Sequence, residues 1–374
     1  MKKINILFVI SCFMITSVFS QHVSKTMLYG GLTRQYLEYV PAMYTGSTAV
    51  PLVICLHGLG DDMTNFSGIG MGNVADTANF IILTPQAISS ILGTAWNSGA
   101  SMSGMQLNET VDDLGFINAL IDSVSAHYNI DQRRIYATGF SMGAFMCYRL
   151  ACQLGNRIAA IAPVSGAMGT SLICQPSRPV PVCHFHGTAD QTISYTANQY
   201  GTIVDSTLKY WVNTNHCSTL PQLESMPDMA ADGFTVEHYI YGNGNSESVV
   251  EHYKVIGGGH QWIYTPVNDI DYTTIIWEFL SRFSLLQLNV DQNIAPSVQV
   301  FPNPSSTFIN IENPSNSKLI IKLYSINGSL VKEISASDLN IQLDVRNLVT
   351  GLYFIELIGI NSNYRNISKI QVQN

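Results

Sequence analysis

The chain has 374 residues, 46% hydrophobic and only 12% charged, which excludes a disordered or strongly solvating polymer and leaves material for more than one buried core. Its formal net charge is −8 and it contains no basic run. Both features argue against nucleic acid and anionic membrane surfaces as partners, because each of these recruits proteins through clustered Lys and Arg.

Residues 1–20 open with Lys2 and Lys3, continue through an apolar stretch from Ile4 to Phe19, and end at Ser20-Gln21. A short positive region, a hydrophobic region and small residues near a cleavage point predict a signal peptide. The stretch is broken by Ser11, Thr16 and Ser17 and is short for a membrane span. No later run is long and apolar enough either, so the expectation is an exported mature chain without a transmembrane span.

Residues 21–288 are assigned to an α/β domain, with strand–helix alternation visible from about residue 26. Pro51 to Leu56 is a short, wholly apolar run ending at His57-Gly58, the pattern of a buried parallel strand. Phe80 to Leu83 has the same character. Between Val111 and His127 the apolar residues Leu114, Ile117, Leu120, Ile121 and Val124 fall at helical spacing, and Arg134 to Ala137 returns to strand. Phe145–Leu154 is predicted helical, and Ile158–Val164, Val180–Phe185 and Val249–Ile256 are predicted strands. This alternation implies right-handed crossovers and a mostly parallel sheet covered by helices on both faces. Residues 289–297 read as a linker. Residues 298–374 show short β-prone runs broken by turn signals at Asn303-Pro304, Asn313-Pro314, Asn327-Gly328 and Gly351, which predicts a small all-β sandwich.

Six cysteines follow the signal region: Cys55, Cys147, Cys152, Cys174, Cys183 and Cys217. They allow 15 pairings in principle. Cys55 and Cys183 lie in apolar runs and read as buried free thiols. Cys174 and Cys217 sit in loop-like positions and are the expected disulfide. No pair has zinc-site spacing, so no metal site is expected.

The strongest chemical signal is Gly139-Phe140-Ser141-Met142-Gly143, directly after a predicted strand and before a predicted helix. In that setting G-x-S-x-G is a nucleophile elbow, whose tight turn holds the serine hydroxyl above the sheet. A serine needs a base to take its proton, and the base needs an orienting carboxylate, in the chain order serine, acid, histidine. Asp190 follows the Val180–Phe185 strand in His186-Gly187-Thr188-Ala189-Asp190. His260 follows the Val249–Ile256 strand in Gly257-Gly258-Gly259-His260. Among the competitors, His184 and His252 lie within strands and read as packed histidines. His186 reads as a brace for the Asp190 loop, and Asp205 lies on a helix with no strand end to present it. The expected oxyanion donors are the backbone N–H groups of Met142 and of Leu59, the latter in the glycine-containing loop Leu56-His57-Gly58-Leu59-Gly60.

These residues, together with Gly30 to Leu37, Trp96-Asn97 and Asp112 to Phe116, resemble the polyhydroxybutyrate depolymerase and feruloyl esterase group, carbohydrate esterase family one. The likeness runs over about residues 26–285. It implies an α/β-hydrolase that cleaves carboxylic esters without a cofactor, and it carries the family's serine, aspartate and histidine onto Ser141, Asp190 and His260. The cysteines that often follow Trp-Asn in the family are absent from Ser98 to Met102, and Ile263 stands where a proline is common. Trp96 and Trp262 are expected to wall the substrate mouth. The tail, through Val300 to Pro304, Gly351 to Ile355 and Lys369-Ile370, resembles the C-terminal sorting domain of type IX secretion in Bacteroidetes. That resemblance implies secretion machinery as a partner and passage across an outer membrane to a secreted or surface-attached location. A sugar-binding module is the rival reading of the tail, disfavoured because all four tryptophans lie outside it. The resulting expectation is a secreted serine ester hydrolase acting on polyester or on feruloylated or acetylated plant polysaccharide. A peptidase or acyltransferase on the same fold is the alternative, and an inactive binding protein is a third.

Overall fold

The computed structural model describes residues 21–102, 104–285, 299–313, 318–360 and 365–373. The expected signal peptide and linker lie outside these residues. The chain separates into two units, one up to Leu286 and one from Gln287.

The first unit begins with β1 (His22–Tyr29) and β2 (Leu32–Tyr39), an antiparallel hairpin in which Tyr29 pairs with Leu32. Its two-residue turn, Gly30-Gly31, has φ of 57° and 78°, and such a turn needs residues that tolerate positive φ. Next come β3 (Val50–Leu56), α1 (Met63–Phe66), α2 (Met71–Ala78) and β4 (Ile81–Pro85). Two small hairpins follow, β5 (Ile88–Ser90) with β6 (Gly93–Ala95) and β7 (Ser101–Met102) with β8 (Met105–Gln106). The unit continues through α3 (Asp113–Ser125), β9 (Ile130–Phe140), α4 (Met142–Gln153), β10 (Ala160–Val164), β11 (Val182–Gly187) and α5 (Val204–Thr214). It closes with β12 (Gln222–Ser225), β13 (Thr235–Tyr241), β14 (Val250–Ile256) and α6 (Tyr272–Leu280).

Ten strands form one sheet in the order β1-β2-β4-β3-β9-β10-β11-β14-β13-β12. The six central strands run parallel, and antiparallel pairs extend both edges. Every residue of β3, β4, β10 and β11 is buried, as the apolar runs Pro51–Leu56 and Phe80–Leu83 predict for strands covered on both faces. The alternation of β3 divides the core. Leu52, Ile54 and Leu56 pack with side chains of α3, α4 and α5, whereas Val53 and Cys55 pack with those of α1, α2 and α6. Helix α3 starts where the Asp112 carboxylate accepts the Gly115 N–H, and it turns Phe116, Ile117, Leu120, Ile121 and Val124 inward. The hairpin β1–β2 and the edge pair β12–β13 were not foreseen. They are partly exposed and antiparallel, so they lack the solid apolar pattern of the central strands.

The expected Cys174–Cys217 disulfide is not formed. Cys174 pairs with Cys152, whose Cα lies 4.8 Å away and 22 residues back. Cys152 ends the last turn of α4 and meets the 170s loop there, while Cys217 is buried as a free thiol beside the Ser248 carbonyl. Cys55 and Cys183 are buried free thiols.

The second unit is all β. A three-stranded sheet is formed by β15 (Gln299–Phe301), β16 (Phe308–Glu312) and β19 (Asn340–Asp344). A four-stranded sheet is formed by β18 (Leu330–Ala336), β17 (Leu319–Ser325), β20 (Gly351–Gly359) and β21 (Arg365–Val372). All pairings are antiparallel, and Ile309, Ile311, Leu323, Leu343, Ile355 and Val372 form one core between the sheets. Among the described residues no helix is long and apolar enough to cross a membrane.

Candidate active site

The site stands at the C-terminal ends of the central parallel strands. Strand β9 ends at Phe140, and Ser141 turns into α4 with φ 54° and ψ −119°. A non-glycine residue there costs on the order of 1–3 kcal/mol and persists only if its surroundings hold it. Here the Ser141 N–H donates to the Val164 carbonyl at 2.9 Å, and its own carbonyl accepts the first N–H groups of α4. The flanking glycines permit the close approach: a Cβ on Gly143 would lie 2.0 Å from the Leu56 carbonyl oxygen, and one on Gly139 would lie 2.6 Å from the Gly143 carbonyl carbon.

The loops after β11 and β14 are stitched to each other. Ala189 N–H donates to the Gly258 carbonyl at 2.9 Å, and Gly257 N–H donates to the Thr188 hydroxyl at 3.0 Å. This places His260 Nδ1 2.7 Å from Asp190 Oδ2. The Asp190 side chain is fully buried, and its other oxygen accepts the Thr192 and Ile193 N–H groups at 2.9 and 2.8 Å. Burial by itself would raise its pKa. Hydrogen bonds from His186, His260 and the Ile193 amide overcome that and hold the carboxyl far below the usual carboxylate range. Since a carboxylate only accepts, His260 Nδ1 carries the proton and Nε2 keeps its lone pair. Ser141 and His260 line one cavity of about 330 Å3. No hydrogen bond joins them among the described residues, and such catalytic contacts commonly tighten only when substrate is bound.

Behind Asp190 runs a second file of imidazoles. His186 Nε2 lies 2.8 Å from the Ile193 carbonyl and 3.4 Å from Asp190 Oδ2, and both are acceptors, so Nε2 carries a proton. His186 Nδ1 is 3.2 Å from His184 Nε2, and His184 Nδ1 is 2.7 Å from the Tyr148 hydroxyl. Burial pushes the His184 pKa well below its ordinary value and that of His252 down to about 3. A neutral His184 then donates to His186 and accepts from Tyr148, which satisfies the whole file. His252 makes its own pair, donating from Nδ1 to the His184 carbonyl and accepting the Tyr195 hydroxyl at Nε2. The sequence reading of His186 as a brace for the acid loop fits these distances. The extension to Tyr148 was not legible, because Tyr148 lies on α4, far away in the chain.

The loop after β3 contains the expected oxyanion donor. His57 is fully buried, with Ala87 N–H donating to Nε2 at 3.1 Å, so Nδ1 bears the hydrogen and donates to the Gly58 carbonyl at 2.8 Å. In a trans peptide the C=O and the following N–H point in opposite directions. Drawing the Gly58 oxygen toward His57 therefore turns the Leu59 N–H the other way. Gly58, Leu59 and Met142 all line the cavity that holds Ser141.

The two tryptophans are not on the cavity wall. Trp96 has no exposed surface, because its indole N–H donates to the His57 carbonyl at 2.9 Å and its ring packs beneath that loop. Trp262 packs edge-on against Phe66 and lies behind Phe140, with its N–H on the Thr273 hydroxyl. The cavity is instead lined by Ala100, Phe140, Phe145, Ile193 and Tyr200, with Asp61 the one acid among its described residues. None of these was singled out as a lining residue from sequence: Phe140 lies within the elbow motif, where only the serine and glycines carry the pattern, and the others sit in segments without a motif. Among the described residues no group of three or more His, Cys, Asp or Glu side chains is placed to hold a metal ion.

Comparison with known proteins adds likenesses in sequence and in fold. Residues 43–227 match the family described as Phospholipase/Carboxylesterase, and residues 299–373 match the secretion system C-terminal sorting domain. A bifunctional acetylxylan esterase/xylanase of Neocallimastix patriciarum is 29% identical over 260 residues, covering 68% of this chain and 34% of that protein. Feruloyl esterase B of Piromyces equi is 26% identical over 266 residues, covering 67% of this chain and 46% of that protein. The chain thus spans between a third and a half of the length of these curated relatives. An acetyl xylan esterase from Aspergillus awamori shares the fold, with a TM-score of 0.50 at 14% identity, covering 69% of this chain and 99% of that one.

Proposed function

We propose that this chain is an exported serine carboxylic-ester hydrolase acting on acyl esters of plant polysaccharide. The observation that carries the proposal is the serine at a positive-φ strand–helix turn sharing one cavity with an imidazole whose far nitrogen is held by a buried carboxylate at 2.7 Å. Ser141 attacks the ester carbonyl while His260 Nε2 takes its proton. The same nitrogen then protonates the departing alcohol, and Asp190 stabilises the imidazolium between the two steps. The Met142 and Leu59 N–H groups receive the developing oxyanion, assisted by the N-terminus of α4. Water, activated by His260, releases the acid and restores the serine.

The acyl class is argued from the cavity. Phe140, Phe145, Ile193 and Tyr200 give it an apolar wall, and its volume exceeds what an acetyl group fills. Aromatic acyl groups such as hydroxycinnamates use that wall, while acetyl esters are accepted with less binding energy. The relatives' names, acetylxylan and feruloyl esterase, are in keeping with this substrate range. The tail is proposed to engage type IX secretion machinery after a signal peptide directs the first export step. Purified chain should hydrolyse aryl acetates and methyl ferulate with a burst of released alcohol, and Ser141→Ala should abolish both turnover and labelling by a fluorophosphonate. Undiminished hydrolysis by Ser141→Ala would overturn the assignment.

A further inference from the structure

We infer that Asp61 sets the charge selectivity of the cavity, rejecting esters that carry an anionic group and driving out the carboxylate product. The inference rests on the ester-hydrolase reading and deepens it. Two aspartates stand side by side at the start of α1, and they differ. Asp62 is occupied, its carboxylate accepting the Thr64 and Asn65 N–H groups at 2.7 and 2.9 Å as the helix cap. Asp61 uses only its backbone, with N–H toward the Gly58 carbonyl at 3.3 Å and its carbonyl accepting the Thr94 hydroxyl at 2.5 Å. Its carboxylate accepts no hydrogen bond among the described residues. The backbone bonds hold Asp61 beside the oxyanion loop, and the residue lines the cavity that contains Ser141 and His260.

Among the described residues no lysine or arginine lines that cavity, and its walls are largely apolar, so the Asp61 carboxylate has no cationic partner there. Asp61 is one of the residues that line the cavity of about 330 Å3, so a charged group held inside is brought close to it. Two like charges at such separations, with an effective dielectric between those of a protein surface and water, repel enough to shift binding on the order of tenfold. The hydrolytic reaction itself generates such an anion. An ester and water yield a carboxylic acid and an alcohol, and the acid loses its proton at neutral pH. A neutral substrate thus enters without penalty, and its product leaves against a standing negative charge. The hydroxyls of a saccharide, by contrast, donate hydrogen bonds to the same carboxylate.

The test uses the full chain and matched p-nitrophenyl esters: butyrate as the neutral probe and hemisuccinate as the anionic one. The wild type should favour butyrate in kcat/KM. Asp61→Asn should raise the hemisuccinate-to-butyrate ratio on the order of tenfold and tighten inhibition by succinate, whereas Asp61→Glu should keep the wild-type ratio. Raising salt from about 10 mM to about 500 mM should compress the discrimination in the wild type and leave Asp61→Asn flat. The salt experiment needs no variant, so the proposal stays testable even if Asp61→Asn does not fold. A ratio unmoved by both Asp61→Asn and salt overturns the role of Asp61 while leaving the hydrolase intact. Failure of the hydrolase reading shows up separately, as Ser141→Ala cleaving butyrate at the wild-type rate.

Discussion

Replacing Asp190 by asparagine changes one oxygen to an amide nitrogen, and the structure dictates which one. Oδ1 accepts two backbone N–H groups, from Thr192 and Ile193, so the amide oxygen must stay there. The NH2 group is then forced into the Oδ2 position, 2.7 Å from His260 Nδ1. Two donors cannot face each other, so the imidazole gives up the Nδ1 proton and carries its hydrogen on Nε2 instead. The nitrogen facing Ser141 then has no lone pair, and the base is lost although every atom remains within tenths of an ångström of its place. The expected loss in kcat is about 10^3- to 10^4-fold, equivalent to about 4–5.5 kcal/mol of transition-state stabilisation. Single-turnover kinetics on an aryl acetate would measure it, with the thermal unfolding midpoint as a control for folding. Nitrogen-15 NMR of the histidine rings should show the proton moved from Nδ1 to Nε2 of His260. A folded Asp190→Asn protein that keeps more than a tenth of wild-type kcat, or one that loses activity with Nδ1 still protonated, would refute the reasoning.

Three further outcomes are expected. His57→Phe frees the Gly58 carbonyl and lets the Leu59 amide rotate, so kcat should fall by about 10- to 100-fold with little change in KM, and His57→Asn, which retains a donor, should lose less. His184 and His252 are neutral in the fold, with pKa values well below and about 3 respectively, but titrate near 6.5 when unfolded. Their contribution is therefore fully present above pH 6.5 and is lost as pH falls from there toward the folded values, by about 1.4 kcal/mol per pH unit for each histidine. Urea unfolding at pH 7.5 and 5.5 should differ by roughly 2–3 kcal/mol, and a pH-independent midpoint would contradict this. Cys152→Ser opens a loop of 22 residues and should cost about 3 kcal/mol by the chain-entropy relation, read as a lower denaturant midpoint, whereas Cys217→Ser should not reproduce that loss.

Much of the architecture could be read along the chain because the forces behind it are local. Val50–Leu56 and Ile81–Leu83 are apolar at every position, and only a strand covered on both faces tolerates that. Gly139 to Gly143 can be recognised because a strand–helix turn this tight excludes side chains two residues before and two residues after the serine. Order along the chain singled out Asp190 and His260, because each follows a strand-like run, in the sequence serine, acid, histidine, and the parallel sheet brings the ends of those strands to the same edge as the end of β9. The edge strands escaped notice because β12 is exposed at every position and carries no hydrophobic period.

What the sequence alone determined is therefore the strand–helix order, the elbow at Ser141 and the two loops that meet near it, since each depends on neighbours within a few residues. Only the tertiary structure decided the Cys152–Cys174 pairing, the burial of Trp96 beneath the His57 loop, and the file from Asp190 through His186 and His184 to Tyr148. It also decided that the Asp62 carboxylate caps α1, while that of its neighbour Asp61, a residue lining the cavity, accepts no hydrogen bond among the described residues. These depend on which of many chemically equivalent groups come within about 3 Å of each other. That proximity is set by how helices stack on a sheet, through contacts between residues tens of positions apart.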